Sequence, residues 1–435
     1  MLRDTIAAIA TPAGRGGIGV VRVSGPAVPS ISAKILGSLP APRHARFARF
    51  RNARGEQIDE GLALYFPAPR SYTGEAVLEL QGHGGPVVMQ TLLRACLDAG
   101  ARLAEPGEFT RRAFLQGKLD LAQAEAVADL IEASSEQAAR AALRSLTGEF
   151  SAAISRLSGE LVELRALTEA MLDFPEEEVD AVHRSDAASR LQAIGNALDE
   201  VFAKSREGSL LRSGIHVVLA GRPNVGKSSL LNRLAGEDRA IVTPIPGTTR
   251  DALREPIQIE GVPLTLVDTA GLRQASDVVE QLGVERTRRE LAQADLVLLV
   301  EEAGKPAAAP PDLPTDVERI LVYNKLDLAP RFERPAGALA VSAKTGEGLE
   351  ALRAAILAAA GWSSTGESVF LARERHLRAL ETARSHIDTA RGELARWEFF
   401  AEELRLAHAA LGAITGEFTA DDLLGEIFSR FCIGK

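Results

Sequence analysis

In residues 1–118 the apolar positions come in short runs bounded by Gly or Pro, the habit of β-strands. Ile18, Val20, Val21 and Val23 follow a turn-rich stretch at 14–17, and 62–66 and 76–80 repeat the theme. Residues 87–99 read as a helix, so the pattern predicts a small α+β domain. From Leu119 to about Arg212 the texture changes. Ala, Leu, Glu and Arg dominate, apolar residues fall at helical spacing, and Gly and Pro are sparse before Pro175, which predicts several helices. Residues 213–361 alternate strand-like and helix-like patterns, the mark of an α/β domain. Helical spacing then returns, with Leu377, Leu380, Ala383, Ile387, Ala390 and Leu394, and again with Leu404, Ala407, Leu411 and Ile414. Such stripes are packing faces. Two helical blocks on either side of a self-contained α/β unit imply insertion: one helical domain, 119–212 and 362–435, is interrupted by 213–361. Insertions of this kind are tolerated because domain termini often lie close together.

The length of 435 residues agrees with two or three domains rather than one core. No run of 18 apolar residues occurs, so no membrane span is expected. The segment 1–9 lacks the apolar core and small-residue cleavage site of a signal peptide. Two cysteines, Cys96 and Cys432, do not make a disulfide framework, and a reducing cytoplasm is the simple reading. The net charge of −9 argues against indiscriminate nucleic-acid binding, which needs positive charge, without excluding a local basic patch. Arg43, Arg46, Arg49, Arg51 and Arg54 crowd one stretch, and Arg111, Arg112 and Lys118 another. The simpler expectation for each is a solvated face.

Candidate chemistry concentrates in the α/β segment. The apolar run 215–220 leads straight into Gly221-Arg222-Pro223-Asn224-Val225-Gly226-Lys227-Ser228, followed by the helix-like stretch 229–234. This is the phosphate-loop pattern in its required strand-to-helix context. Its glycines let the backbone wrap phosphates with the N–H groups pointing inward, and the helix N-terminus adds partial positive charge. Lys227 is expected to reach the β- and γ-phosphates and Ser228 to ligate magnesium, with Asn224, Val225, Gly226 and Ser229 in the same cradle. A second strand ends in Asp268-Thr269-Ala270-Gly271, where Asp268 supports the magnesium shell and the Gly271 N–H senses the γ-phosphate. A third ends in Asn324-Lys325-Leu326-Asp327. The Asp327 carboxylate accepts from both N1–H and the 2-amino group of guanine, a donor pair that adenine lacks, so it selects GTP. Ser342-Ala343-Lys344 follows a further strand and fits a backbone contact to guanine O6. Between the first two motifs lies Thr243-Pro244-Ile245-Pro246-Gly247-Thr248-Thr249, a switch segment in which Thr249 closes on magnesium. Four motifs in order, each at a strand end, predict a GTP-hydrolysing domain. Ras-type enzymes carry a water-positioning glutamine directly after the Asp-x-x-Gly motif. Leu272 stands there in this chain, so another group must orient the water, and Asp277 and Glu280 are the acidic candidates.

Beyond these motifs the chain resembles the tRNA-modification GTPase family called MnmE or TrmE over essentially its whole length. The resemblance rests on Thr5-Ile6-Ala7-Ala8-Ile9-Ala10-Thr11-Pro12 with Gly14-Arg15-Gly16-Gly17, and on Leu78-Glu79-Leu80-Gln81-Gly82-His83-Gly84-Gly85. It rests also on Gly117-Lys118-Leu119-Asp120-Leu121-Ala122-Gln123-Ala124-Glu125-Ala126 and on the ending Phe431-Cys432-Ile433-Gly434-Lys435. It implies a folate-binding α+β N-terminal domain, a helical domain, and a Ras-like P-loop G domain inserted into the latter. It implies a homodimer formed through the N-terminal domains, with G domains meeting when GTP is cleaved. It further implies a FAD-dependent partner of MnmG (GidA) type. Together the two would add an aminomethyl-type group, such as carboxymethylaminomethyl, at C5 of the wobble uridine in certain tRNAs. The one-carbon unit would come from a formyl- or methylene-tetrahydrofolate. By resemblance, Arg22, Glu79, Lys118 and Lys435 line the folate pocket; from the residues alone each is an ordinary surface charge. The resemblance also nominates Glu280 to orient the attacking water, and Asn224, Thr248 and the carbonyls of Thr243 and Ile245 as ligands of an activating potassium ion. It gives no licence to treat Arg250 as an arginine finger. Cys432 has two readings, a thiol near the folate or uridine and a buried small apolar residue. His83, among glycines, reads as a structural or hydrogen-bonding loop residue. Three rivals use parts of the same chain: a regulatory GTPase of ribosome assembly, a nucleotide-sensing scaffold without turnover, and a folate enzyme that works without tRNA.

Overall fold

The computed structural model describes residues 4–173, 180–237, 254–268, 289–305, 317–363, 369–417 and 421–434. Two compact units emerge: Met1–Ala128 with Gly412–Lys435, and Asp129–Leu411. The last stretch groups with the first unit because its apolar face is covered there. Helix Asp421–Ser429 brings Leu424, Ile427 and Phe428 together with Phe431 against Leu121, Ala124 and Phe114. Gly107 is pressed so close that a Cβ on it would lie 2.9 Å from the Phe431 Cβ.

The first unit is built on a six-stranded sheet. Its strands are β1 (Ile6–Ile9), β2 (Gly19–Ser24), β3 (Arg46–Arg51), β4 (Gln57–Phe66), β5 (Val77–Gly82) and β6 (Arg102–Leu103), in the order β3-β4-β5-β2-β1-β6. Neighbours are antiparallel except β1 with β6. Because side chains alternate across a strand, Val21, Val23, Leu78 and Leu80 all face one side. There they bury against Ile31 and Ile35 of α1 (Val28–Leu36) and Leu92 and Cys96 of α2 (Pro86–Asp98). Each such side chain contributes about 1.5–3 kcal/mol relative to exposure. The opposite face carries Arg22 and Glu79, directly across from one another in register, and an apolar patch of Ile6, Ala8, Ala104 and Phe109. Helix α3 (Glu108–Leu115) supplies Phe109 and Arg112. Ile18, expected in a strand, lies before β2 and is 69% exposed.

Arg112 corrects an expectation. It is fully buried, not solvated, and meets Asp4 at 2.9 Å, Glu75 at 3.0 Å and Glu108 at 2.9 Å. A buried guanidinium is tolerable only with such compensation, and Asp4 and Glu75, distant in sequence, provide it together with Glu108 one turn back on the same helix. Lys118 and the Arg43–Arg54 stretch are largely exposed, as expected.

After α4 (Leu121–Glu132), α5 (Glu136–Leu146), α6 (Glu149–Asp173) and α7 (Asp180–Ser213) of the second unit precede another six-stranded sheet. Its strands are β7 (Ile215–Ala220), β8 (Arg254–Ile259), β9 (Val262–Asp268), β10 (Leu296–Glu302), β11 (Glu318–Asn324) and β12 (Leu339–Ala340), ordered β12-β11-β10-β7-β9-β8. All pairs are parallel except β8 with β9. Parallel sheets are covered on both faces. One face packs Val217, Leu219, Leu266 and Val300 on helices Lys227–Glu237 and Leu349–Ala359 and on Ala138, Ala141 and Ala142 of α5. The other packs Val218, Val267 and Val297 on Leu291. The helix Glu374–Gly392 buries Leu380, Ala383, Ile387 and Ala390, and helix Trp397–Thr415 buries Leu404, Ala407, Leu411 and Ile414. The predicted stripes are thus the packing faces; Leu394 alone falls past its helix end. Buried Asp129 ties the helices by accepting from Arg212 at 3.0 Å and Arg373 at 2.8 Å.

Candidate functional site

In a parallel sheet the loops that follow the strands emerge at one edge, where ligands bind. The ends of β7, β9, β11 and β12 therefore share an edge, and each leads in sequence into one of the four motif segments. Two glycines permit their close approach. A Cβ on Gly221 (φ +146°) would lie 2.2 Å from the Val300 carbonyl oxygen, and one on Gly226 (φ +93°) 2.4 Å from Asn324 Nδ2. Asn224 also takes positive φ, 65°, which Asn tolerates better than most residues.

Asn324 is the hub of the cluster. Its side chain is buried, donates from Nδ2 to the carbonyls of Val225 at 3.0 Å and Gly226 at 3.3 Å, and accepts at Oδ1 from the Ala343 N–H at 3.1 Å. One amide thus joins the phosphate-loop segment to the 342–344 segment. Lys325 Nζ donates to the Asn224 carbonyl at 2.6 Å and to Glu302 at 2.9 Å. Glu302 is a partner that sequence reading missed, and the ammonium groups of Lys305 and Lys325 hold its pKa below the ordinary carboxylate value. Ser342 Oγ donates to Asp327 Oδ1 at 2.7 Å. Lys227 is 4% exposed, with Nζ donating to the carbonyls of Gly221 and Arg222, each at 2.9 Å. Ser228 Oγ donates to Asp268 Oδ2 at 2.6 Å. A hydroxyl beside a buried carboxylate is an all-oxygen donor set, the kind a hard divalent cation takes. Ser229 and Lys344 are exposed. Thr243, Pro244, Ile245, Pro246, Gly247, Thr248, Thr249, Thr269, Ala270, Gly271, Glu280 and Lys435 lie outside the described residues.

A second polar cluster forms on the open face of the first sheet. Arg22 Nε donates to Glu79 Oε1 at 3.0 Å, and their side chains are only 17% and 19% exposed. The pair is therefore not the two surface charges the residues alone suggest. The guanidinium sits 5.5 Å from the Tyr72 ring and 5.7 Å from the Phe109 ring, and its Nη1 donates to the Gly434 carbonyl at 3.4 Å. Lys118 Nζ donates to the Pro69 carbonyl at 3.3 Å, on the loop that carries Tyr72. Neither Tyr72 nor Phe109 is marked out by sequence pattern. Tyr72 bonds Thr110 at 2.8 Å, and burial pushes its hydroxyl pKa up. Cys432 is exposed, against the buried reading, and its carbonyl accepts from the Gly107 N–H at 3.4 Å. Cys96 is the buried thiol, its pKa pushed up to about 12 by desolvation. His83 binds Asp59 through both its backbone N–H and Nδ1, each at 2.8 Å. Among the described residues no three His, Cys, Asp or Glu converge as a metal cluster, and no helix is long and apolar enough to cross a membrane.

The fold and the phosphate-loop edge of the second unit define a P-loop GTPase. Known proteins then narrow the class. Residues 5–118 match the family model for the GTP-binding protein TrmE N-terminus, and 121–432 match that for the MnmE helical domain. The tRNA modification GTPase MnmE of Azoarcus sp. (strain BH72) is 61% identical over 99% of this chain and 98% of that protein. Its counterpart in Thiobacillus denitrificans (strain ATCC 25259 / T1) is 59% identical over 99% and 98%. This chain belongs to the MnmE family of tRNA modification GTPases.

Proposed function

We propose that this protein hydrolyses GTP in the cytoplasm to drive modification of the wobble uridine of certain tRNAs, adding an aminomethyl or carboxymethylaminomethyl group at C5. It acts as a homodimer with a FAD-dependent partner of MnmG type. In the second unit Lys227 and the loop N–H groups of Asn224, Val225, Gly226, Ser228 and Ser229 meet the phosphates, while Asp327, Asn324, Lys325, Ser342, Ala343 and Lys344 enclose guanine. Ser228 and Thr249 hold Mg2+, which neutralises developing phosphate charge, with Asp268 behind them and Gly271 at the γ-phosphate. Glu280 orients the attacking water. Asn224, Thr243, Ile245 and Thr248 hold K+, which places a further positive charge near the phosphates. In the first unit Arg22, Glu79, Lys118 and Lys435 bind a tetrahydrofolate that supplies the one-carbon unit, with Cys432 close by.

The observation that carries this reading is the half-buried Arg22–Glu79 pair with the Gly434 carbonyl at its rim. Nothing in a GTPase requires such a pair, whereas a ligand with both ring donors and carboxylates would engage both its charges. Nucleoside analysis of tRNA from a strain lacking the gene tests it. The modified wobble uridine should vanish and return when the chain is restored. A normal wobble nucleoside in the deletion strain would end the proposal.

A further inference from the structure

We propose that the β3 edge of the first unit holds the phosphate backbone of the tRNA, with Phe47 presented to an unpaired base; this rests on the tRNA reading above. Residues 5–55 contain eight Lys and Arg and no Asp or Glu, in a chain whose net charge is −9. Five of the eight, Arg43, Arg46, Arg49, Arg51 and Arg54, lie on β3 and its flanking turns. β3 is the terminal strand of its sheet.

These charges are largely uncompensated. Arg49 faces Glu60 at 3.7 Å with both side chains well exposed, and an exposed pair of that geometry is worth little. Arg46 donates to Ser38 Oγ at 2.7 Å and Arg43 to the Arg70 carbonyl, both neutral acceptors. Arg51 and Arg54 have no ion pair among the described residues. Beside the strand opens a groove of about 890 Å³ lined by Lys34, Arg46, Arg49, Arg51, Asn52 and Phe47, with Asp98 as its carboxylate. Phe47 is 65% exposed.

Edge strands often carry charge to deter strand addition. That purpose does not account for this one. A register shift at Phe50/Arg51 already disrupts the ladder, and such bulges by themselves protect an edge. The arginines also continue past both strand ends, and an exposed phenylalanine among them works against edge protection. Arginine matches phosphate bidentately. An aromatic ring amid positive charge is how proteins stack unpaired bases while tracking an RNA backbone.

The test measures binding of unmodified tRNA to the full-length protein across a salt series. The variants are Arg51→Glu/Arg54→Glu, Arg51→Lys/Arg54→Lys and Phe47→Ala, with hydrogen exchange at β2 and β5 amides, in the same unit, as the check that each is folded. The charge reversal should lose tenfold or more in tRNA affinity near 0.1 M salt, and its log–log salt slope should fall by about 1 per lost contact. The lysine pair should stay within about threefold, because charge is kept. Phe47→Ala should lose a few-fold with an unchanged salt slope. Wild-type affinity and slope in the reversal variant, while the parent binds tRNA, would overturn the proposal. So would a reversal that spares tRNA but abolishes association with the flavoprotein partner, which would make the patch a protein-docking surface. A parent chain that binds no tRNA at all would instead sink the functional reading on which the proposal rests.

Discussion

In the second unit the groups that meet come from segments that each follow a parallel strand directly, and their contacts run largely through backbone: Asn324 to two phosphate-loop carbonyls and one N–H, Lys227 to two carbonyls. In the first unit Arg22, Glu79, Tyr72 and Gly434 come from two mid-strand positions, a loop, and a segment 412 residues further on, and they meet mainly through side chains. A backbone cradle needs particular residues at fixed local offsets and so leaves a spacing signature. A side-chain pocket needs only that the fold bring suitable groups together, and it leaves none.

The largest effect expected on the nucleotide side is on turnover. Glu280→Ala should bind GTP as the parent does and lose most hydrolysis, because water orientation matters in the transition state and not in ground-state binding. With Leu272 in the glutamine place, a positive group must still meet charge on the leaving oxygens. Arginine fingers contribute roughly 10³–10⁵ in rate, and exchanging potassium for sodium chloride at matched ionic strength should cost a large part of such a factor. Equal turnover in the two salts removes the cation role, and a fully active Glu280 variant removes the water role independently.

Asp327→Asn comes next. Ser342 already engages one Asp327 oxygen, so the amide variant has a single oxygen for both serine and guanine and turns a donor towards the guanine donors. GTP affinity should fall about ten- to a hundredfold, and xanthosine triphosphate, which offers a carbonyl there, should gain. Unchanged GTP affinity in a titration would count against the guanine pocket.

Glu79→Ala carries the comparison to the Arg22–Glu79 pair of the first unit. Losing a charge-assisted partner should weaken 5-formyltetrahydrofolate about tenfold and leave GTP affinity unchanged, since Glu79 stands in the other compact unit. Equal folate affinity by calorimetry would take Glu79 out of the site.

Legibility followed the same division. β2, β4, β5, β7, β9 and β11 announce themselves as short apolar runs, and the motif segments sit at strand ends where ligands of such sheets bind. β1 was harder, because Ala7 and Ala8 give no β-branched signal. β3 reads as Arg46-Phe47-Ala48-Arg49-Phe50-Arg51, with arginines on both faces that mask its strand pattern, and β10 is a continuous apolar run within helix-like sequence. The Arg112 network was invisible for a related reason. Glu108 lies one helical turn from Arg112, but Asp4 and Glu75 are far off in sequence, and only the fold brings them to it. The Arg22–Glu79 pair was nominated through family resemblance, not through spacing.

The smallest effect concerns that network, and acid should single it out. Glu108 accepts from Arg102 at 2.6 and 2.9 Å, from Arg112 at 2.9 Å and from the Glu105 N–H at 2.9 Å. Burial pushes its carboxyl upward, but the bonds from Arg102, the Glu105 N–H and Arg112 outweigh it, and the net pKa lies below the usual 4.5. A carboxyl depressed in the folded state binds its proton more tightly when unfolded. Its stabilisation is therefore complete above the unfolded value and is lost as pH falls through the lower folded one. Glu108→Gln keeps the shape and an acceptor but not the charge, and should cost about 1 kcal/mol near neutrality. Hydrogen exchange at β1 and α3 amides reads that cost locally. The variant should exchange faster than the parent at pH 7, and the gap should begin to narrow once pH falls below the unfolded carboxyl value of 4.5 and close only when the parent's own depressed carboxyl has protonated. Amides of β7 and β9, in the unit that Glu108 does not touch, should show no difference at either pH. A gap that widens in acid would mean that Glu108 is stabilised in its neutral form, and the assignment of charge in this network would have to be reversed.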